Sequence, residues 1–329
     1  MVLTRQARVA TRPLALTDVP DPSPGPEELL VRVAACGVCR TDLHVVEGDL
    51  PPRRLPLVPG HQVVGRVAAA GPGASRFSQG DRVGIAWLRR TCGSCDFCRQ
   101  GRENLCAGSR YTGWDADGGY GEYAIVHEAF AYAIPAAFTD QDAAPLLCAG
   151  IIGYRALRRA QVEPGQKLGL YGFGSSAHIV AQIAIHRGCD IYVATRGASH
   201  RRLAEELGAA WTGDALDTPP VALDGAIVFA PAGEIVPGAL SALRGGGALI
   251  LAGIHMSDIP SLSYDACLFH EKTLTSVESN TRADGEALLR EAAAIPLRPR
   301  TTAFALADAN DALAALAQDR VDGTAVLIL

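Results

Sequence analysis

The sequence predicts an α/β protein in two parts: a β-rich domain over residues 1–150, rejoined by residues 282–329, and a doubly wound parallel sheet over residues 151–281. Three observations carry this reading. Up to about Cys148 the chain offers short β-type runs broken by Gly and Pro. After Pro164-Gly165, apolar strands alternate with helical patterns, the arrangement of a parallel sheet covered on both faces. A chain of 329 residues is also long enough to bury two cores.

Taken in order, residues 29–33 and 63–67 alternate as strands, and Gly71-Pro72-Gly73 and Gly80-Asp81 mark turns before another strand at Arg82–Ile85. Lys167–Tyr171 is a short apolar strand that runs into Gly172-Phe173-Gly174-Ser175-Ser176-Ala177 and then a helix reaching about His186. Asp190–Ala194 is the next strand and 201–207 the next helix. Strands at 226–230 and 248–251 flank a helix at 234–243. A helix at 285–294 and two late strands, 301–306 and 324–329, return to the first domain. There is no internal repeat and no low-complexity tract.

Hydrophobic content of 48% with 20% charged residues is that of an ordinary globular protein. A net charge of -5 without a basic stripe argues against nucleic acid as a partner. No apolar run reaches the ~18 residues a membrane span needs. Residues 1–26 are rich in Pro and Arg and lack the apolar core of a secretion signal. Nine cysteines, an odd number, then point to reduced thiols and metal ligands, and to a cytoplasmic location.

Cys92, Cys95, Cys98 and Cys106 are separated by two, two and seven residues, among Gly, Ser, Asp, Arg, Gln and Asn. Polar surroundings do not suit core cysteines, whereas four convergent thiolates make a closed, structural zinc site. An iron–sulfur cluster is the other metal reading, but the spacing follows no ferredoxin pattern. The stretch C-G-V-C-R-T-D-L-H, followed by V-P-G-H, supplies Cys39 and His61, two zinc-type ligands 22 residues apart. A catalytic site needs a third, and Cys148 in A-P-L-L-C-A-G is the candidate. Gly172-x-Gly174-x-x-Ala177 lies between a strand and a helix, where a dinucleotide pyrophosphate is cradled by backbone amides at the helix N-terminus.

Together these motifs, in this order and across the whole chain, resemble the zinc-dependent medium-chain alcohol dehydrogenases, closely following their short bacterial branch. The resemblance implies a GroES-like catalytic domain and a Rossmann cofactor domain. It implies that Cys39, His61 and Cys148 hold a catalytic zinc and that Cys92, Cys95, Cys98 and Cys106 hold a structural one, two zinc ions per chain. Thr41 matches the hydroxyl that bonds the substrate oxygen, and His44 the base that passes its proton outward. Asp42 matches the carboxylate that fixes the ligand His in its tautomer. Arg40 matches a pyrophosphate contact, alongside Gly172, Gly174, Ser175, Ser176 and Ala177. Leu50 and Trp87 match positions lining the substrate pocket, with Trp114 a looser candidate. The implied activity is zinc-dependent alcohol oxidation, or aldehyde reduction in reverse, with hydride passed between a primary or secondary alcohol and a nicotinamide.

One departure stands out. Many relatives carry Glu after the ligand His, whereas this chain has Gln62, so a carboxylate cannot exchange onto the metal there. Two rival readings lose on the same residues. Zinc-free quinone or enoyl reductases lack the ligand set and the cysteine lobe, and a non-catalytic NADPH-binding protein has no need of an intact triad and proton relay. Cys36, Cys189 and Cys267 read as small buried hydrophobes, His127 and the other unassigned histidines as structural or exposed, and Arg89-Arg90 as a solvated pair.

At the end of the second Rossmann strand, where NAD-preferring relatives place an acid, Thr195 is followed by Arg196. With no carboxylate to repel a phosphate, this points to NADP(H), with NAD(H) as the alternative. Trp87 narrows the pocket toward unbranched or planar alcohols and Leu50 widens it. The short bacterial relatives imply a homo-oligomer, a tetramer before a dimer.

Overall fold

The computed structural model describes residues 1–329 and resolves them into two compact units. The first is Met1–Cys148, Ser279–Ala293 and Pro299–Leu329, and the second is Ala149–Glu278 with Ala294–Arg298.

In the first unit the strand Glu28–Val38 is the central member of a largely antiparallel sheet. It pairs antiparallel with Gln62–Ala70, Tyr123–His127 and Thr324–Ile328. Gln62–Ala70 then pairs with Arg82–Ile85, which pairs with Ala131–Ala133, and Thr301–Ala305 runs parallel to Thr324–Ile328. Leu29, Val31 and Val33 point into the core while Arg32 between them is exposed, the period of a half-buried strand. The strand continues five residues beyond the predicted 29–33. Ala35, Cys36, Gly37 and Val38 are buried on both faces, so the alternation that signals a strand disappears there. Helices Arg40–Glu47 and Ala309–Ala317 pack on the same core, which includes Val31, Val63, Ile85 and Leu313.

The second unit is a six-stranded, wholly parallel sheet built from Lys167–Tyr171, Asp190–Ala194, Trp211–Gly213, Leu223–Val228, Leu243–Leu251 and Thr273–Ser276. Numbered along the chain, the strands lie in the order 3-2-1-4-5-6. This is the doubly wound order, and its topological switch point falls beside Lys167–Tyr171. Several predicted bounds move. The helix expected at 201–207 is Ala198–Glu206, the one expected at 234–243 is Ile235–Ser241, and the strand expected at 226–230 is Leu223–Val228. The helix expected at 285–294 starts three residues earlier, at Arg282. Trp211–Gly213 and Thr273–Ser276 have no sequence signature because they are short edge strands, the latter with no buried residue.

Candidate active site

The end of the strand Glu28–Val38 delivers Cys39 as the N-cap of the helix Arg40–Glu47. Its sulfur accepts the Thr41 N–H at 3.2 Å, and its own N–H donates to Asp42 Oδ2 at 2.9 Å. Asp42 is 1% exposed, and its other oxygen meets His61 Nδ1 at 2.8 Å. A carboxylate can only accept, so Nδ1 donates to Asp42 and Nε2, the atom that would bind a metal, is aimed at Cys39 Sγ, 3.3 Å away. Cys148 completes the set, and the ligand atoms of Cys39, His61 and Cys148 lie within 4.8 Å of one another.

These three side chains hold protons unequally. The hydrogen bond from Cys148 pulls the Cys39 thiol well below its usual range, helped by His61 and opposed by burial. Cys148 is pushed well up by that same hydrogen bond and by burial. Burial pushes the His61 pKa down, but Asp42 and Cys39 outweigh it and the pKa is raised to about 10. Two sulfurs and one nitrogen at this spacing fit a tetrahedral zinc, whose bonds of ~2.0–2.3 Å separate neighbouring ligands by ~3.5–3.8 Å.

Thr41 is buried beside the triad. His44 lies near the end of the same helix, and its Nδ1 contacts Asp49 Oδ2 at 2.7 Å. The sequence reading missed Asp49. Its signal was Gly48, whose φ of +94° ends the helix in the left-handed region and folds the next residue back onto the last turn. Leu50, Trp87 and Trp114 are half-buried and pack on the core of this unit. Trp87 meets His61 edge-on, with ring centroids 4.9 Å apart, and stacks on Tyr111 at 5.0 Å and Trp114 at 5.9 Å. The Arg53 guanidinium covers Trp114 at 4.0 Å, and Trp114 Nε1 donates to the Pro51 carbonyl at 2.9 Å. Tyr111 and Arg53 were not singled out in the sequence because only the fold brings residues 51–53 against 111–114.

The four remaining cysteines converge as well. Cys106 and Cys92 sulfurs lie 3.5 Å apart, Cys95 and Cys98 3.5 Å, and Cys92 and Cys98 3.9 Å. These separations exceed any disulfide bond and match the ~3.8 Å between sulfurs on one tetrahedral zinc. Backbone N–H groups of Ser94 and Cys95 push the Cys92 thiol down to about 6. The lobe buries few side chains, and buried Glu103 ties it to the helix Arg282–Ala294 by accepting the Arg282 N–H at 2.9 Å.

In the second unit Gly172 follows its strand at φ +87°, and a Cβ there would lie 2.9 Å from the Ala230 nitrogen. Gly174 caps the helix Ser175–His186 with no side-chain cap, and a Cβ on it would meet nothing within 4 Å. Ser175, Ser176 and Ala177 form the first turn, so this N-terminus offers backbone donors and open space to a pyrophosphate. Thr195 is buried and its hydroxyl accepts the Phe173 N–H at 3.2 Å. That leaves the Arg196 side chain, exposed and without a hydrogen bond or ion pair, as the group presented at the strand end. Arg40, in the first unit, is paired with Asp319.

Gln62 is fully buried, its amide lies on Gly37, and neither side-chain polar atom has a partner. Cys36, Cys189 and Cys267 are buried. Arg89 corrects the expectation of a solvated pair: its side chain is 12% exposed and lies 3.9 Å from Glu28, while Arg90 stays exposed.

A family model described as "Alcohol dehydrogenase GroES-like domain" matches residues 25–136. A Mycobacterium tuberculosis protein (strain CDC 1551 / Oshkosh) described as "Probable alcohol dehydrogenase AdhA" is 54% identical over 99% of this chain and 95% of its own. Among solved structures, a cinnamyl alcohol dehydrogenase of Sorghum bicolor aligns with a TM-score of 0.90 at 28% identity, over 98% of this chain and 96% of that one. A cobalt- and zinc-bound thermostable alcohol dehydrogenase of Pyrobaculum aerophilum aligns at 0.87 and 26% identity, over 100% and 98%.

Proposed function

Because the chain belongs to the zinc-dependent medium-chain alcohol dehydrogenases, we propose that its first unit is the catalytic domain of an NADP(H)-preferring enzyme, with NAD(H) as the weaker cofactor, and its second the dinucleotide-binding domain. The reaction moves a hydride between an alcohol and a nicotinamide. The observation that carries the proposal is the convergence of Cys39, His61 and Cys148, with Asp42 orienting the imidazole.

When bound there, zinc would supply the Lewis acidity that brings an alcohol's pKa toward neutrality, and a nicotinamide would supply the hydride acceptor. The chain's own residues do the rest. The Thr41 hydroxyl would accept the alcohol proton as it gives up its own toward the cofactor ribose, and His44 would take that proton on Nε2 and release it to solvent while Asp49 holds Nδ1. Trp87, Tyr111 and Trp114 form a flat aromatic wall beginning at His61, which favours a planar or unbranched primary alcohol and keeps water from the reacting carbon. Leu50 leaves the pocket width a larger side chain would fill. The lobe cysteines hold a second zinc, with a structural role.

Gly172, Gly174, Ser175, Ser176 and Ala177 would seat the pyrophosphate; the family resemblance adds Arg40, which is paired with Asp319. Arg196 takes the 2′-phosphate, since Thr195 is engaged by the Phe173 amide. Exposed Ile254, Ile259, Tyr264 and Phe269 in the second unit support a homo-oligomer, read as a tetramer, and nine free thiols support a reducing, cytoplasmic setting.

Steady-state kinetics with benzyl alcohol and both nicotinamides test the reading. A charge-assisted hydrogen bond contributes ~1.5–3 kcal/mol, so Arg196→Ala should raise the NADP KM roughly 10- to 150-fold and leave the NAD KM nearly unchanged. Higher wild-type kcat/KM with NAD would overturn the cofactor assignment.

A further inference from the structure

Away from the triad, the first unit carries a pocket of about 210 Å³, open to solvent on one side, whose lining includes Arg89, Arg90, Arg110, His127, Glu28 and Asp115. Two strand pairings build it. Leu88–Arg90 lies antiparallel to Arg110–Tyr111 with Arg90 directly opposite Arg110, and Glu28 lies opposite His127. Like charges set opposite each other across a ladder destabilise it unless an anion lies between them.

The three carboxylates that act on Arg89 are Glu28, Asp117 and Asp115, and each is engaged by other groups; Asp117 pairs with Arg54 at 3.3 Å and accepts the Val58 N–H at 2.9 Å. Asp115 is 4% exposed at its side chain and already accepts from Arg53 at 3.0 Å, Arg110 at 3.3 Å and the Tyr111 N–H at 2.8 Å. Glu28 accepts the Gly25 N–H at 3.0 Å and comes no nearer than 3.9 Å to Arg89. The Arg89 guanidinium, with five N–H donors and a side chain 12% exposed, therefore has no hydrogen bond within the chain. Burial already pushes its pKa down. Arg90 has no ion pair either. His127 accepts the Ala129 N–H on Nδ1, so its Nε2 carries the proton and adds a donor, 3.6 Å from Glu27.

We propose that this pocket is a binding site for a multivalent oxyanion, a phosphate group free or carried on a small organic molecule, held by Arg89, Arg90 and Arg110. Guanidinium forks match phosphate oxygens in pairs. The volume is that of about seven waters at ~30 Å³ each, which accommodates a phosphate and a small organic residue. None of these residues belongs to the zinc, proton-relay or dinucleotide machinery, so the site is separate from the alcohol chemistry.

Calorimetric titration of the zinc-loaded enzyme, saturated with nicotinamide cofactor so that its phosphate sites are filled, tests this with inorganic phosphate at constant ionic strength set by chloride. One saturable site per chain is expected. Arg90→Gln and Arg110→Gln, whose side chains reach solvent and should fold normally, are each expected to weaken it by roughly ten-fold or more. Arg90→Gln should leave alcohol turnover unchanged, and Arg196→Ala should leave phosphate affinity unchanged. Phosphate binding no better than chloride, or binding as wild type in both Arg90→Gln and Arg110→Gln, overturns the proposal. Loss of binding in Arg196→Ala would move the anion to the cofactor domain and overturn it equally.

Discussion

Zinc added to enzyme stripped only of its triad metal should release two protons per ion at neutral pH. The count follows from how the metal-free site holds protons. One sits on His61, whose pKa is pushed up to about 10 against the resistance of burial, because Asp42 and Cys39 surround it with negative charge. The other sits on Cys148, pushed well up by its hydrogen bond to Cys39, which is itself a thiolate. One proton on His61 and one on Cys148 make two, and both must leave before Nε2 and both sulfurs can bind metal. The sign is set by the raised values: both groups remain protonated below their folded pKa, so rising pH strengthens metal binding. Below those raised values, where Cys39 is already a thiolate, the zinc affinity should climb with pH, ten-fold per unit for each proton displaced. Calorimetry in buffers of different ionisation enthalpy reads the proton number directly. Asp42→Asn should bring the count toward one, since the neutral amide no longer holds the extra proton on His61, and should weaken zinc ~10- to 100-fold. Release of no proton by the wild type, or a pH-independent affinity, would refute this account of the site.

Three further outcomes are expected. Cys98→Ala should leave one zinc per chain by elemental analysis and lower the unfolding temperature, because the lobe has little buried apolar surface to hold it without metal. His44→Ala and Asp49→Asn should both lower turnover chiefly at low pH, the former by ~100-fold and the latter by less; pH–rate profiles identical to wild type would remove the pair from proton transfer. Gly172→Ala should cost ~1–2 kcal/mol of stability from backbone strain alone and raise the KM for either nicotinamide, read by thermal unfolding and cofactor kinetics.

Much of this protein could be read from residue order alone, and the reason is local. Four cysteines within fifteen residues form a loop whose sulfurs meet wherever the lobe sits, and a glycine turn between a strand and a helix is a self-contained phosphate cradle. Cys39, Thr41, Asp42 and His44 share one helical turn and its cap, so their mutual placement follows from sequence spacing. What lay beyond the sequence depends on contacts between distant segments. Arg53 on Trp114, Glu103 on Arg282 and Asp319 on Arg40 join residues 61, 179 and 279 positions apart, which no local pattern encodes. Arg89 shows the limit most plainly: two consecutive arginines beside a polar loop have the pattern of a solvated pair. Successive side chains of a strand leave on opposite faces, so whether each meets water or protein is decided by what packs there; here Arg89 turns toward Glu28 of a distant strand and Arg90 stays exposed.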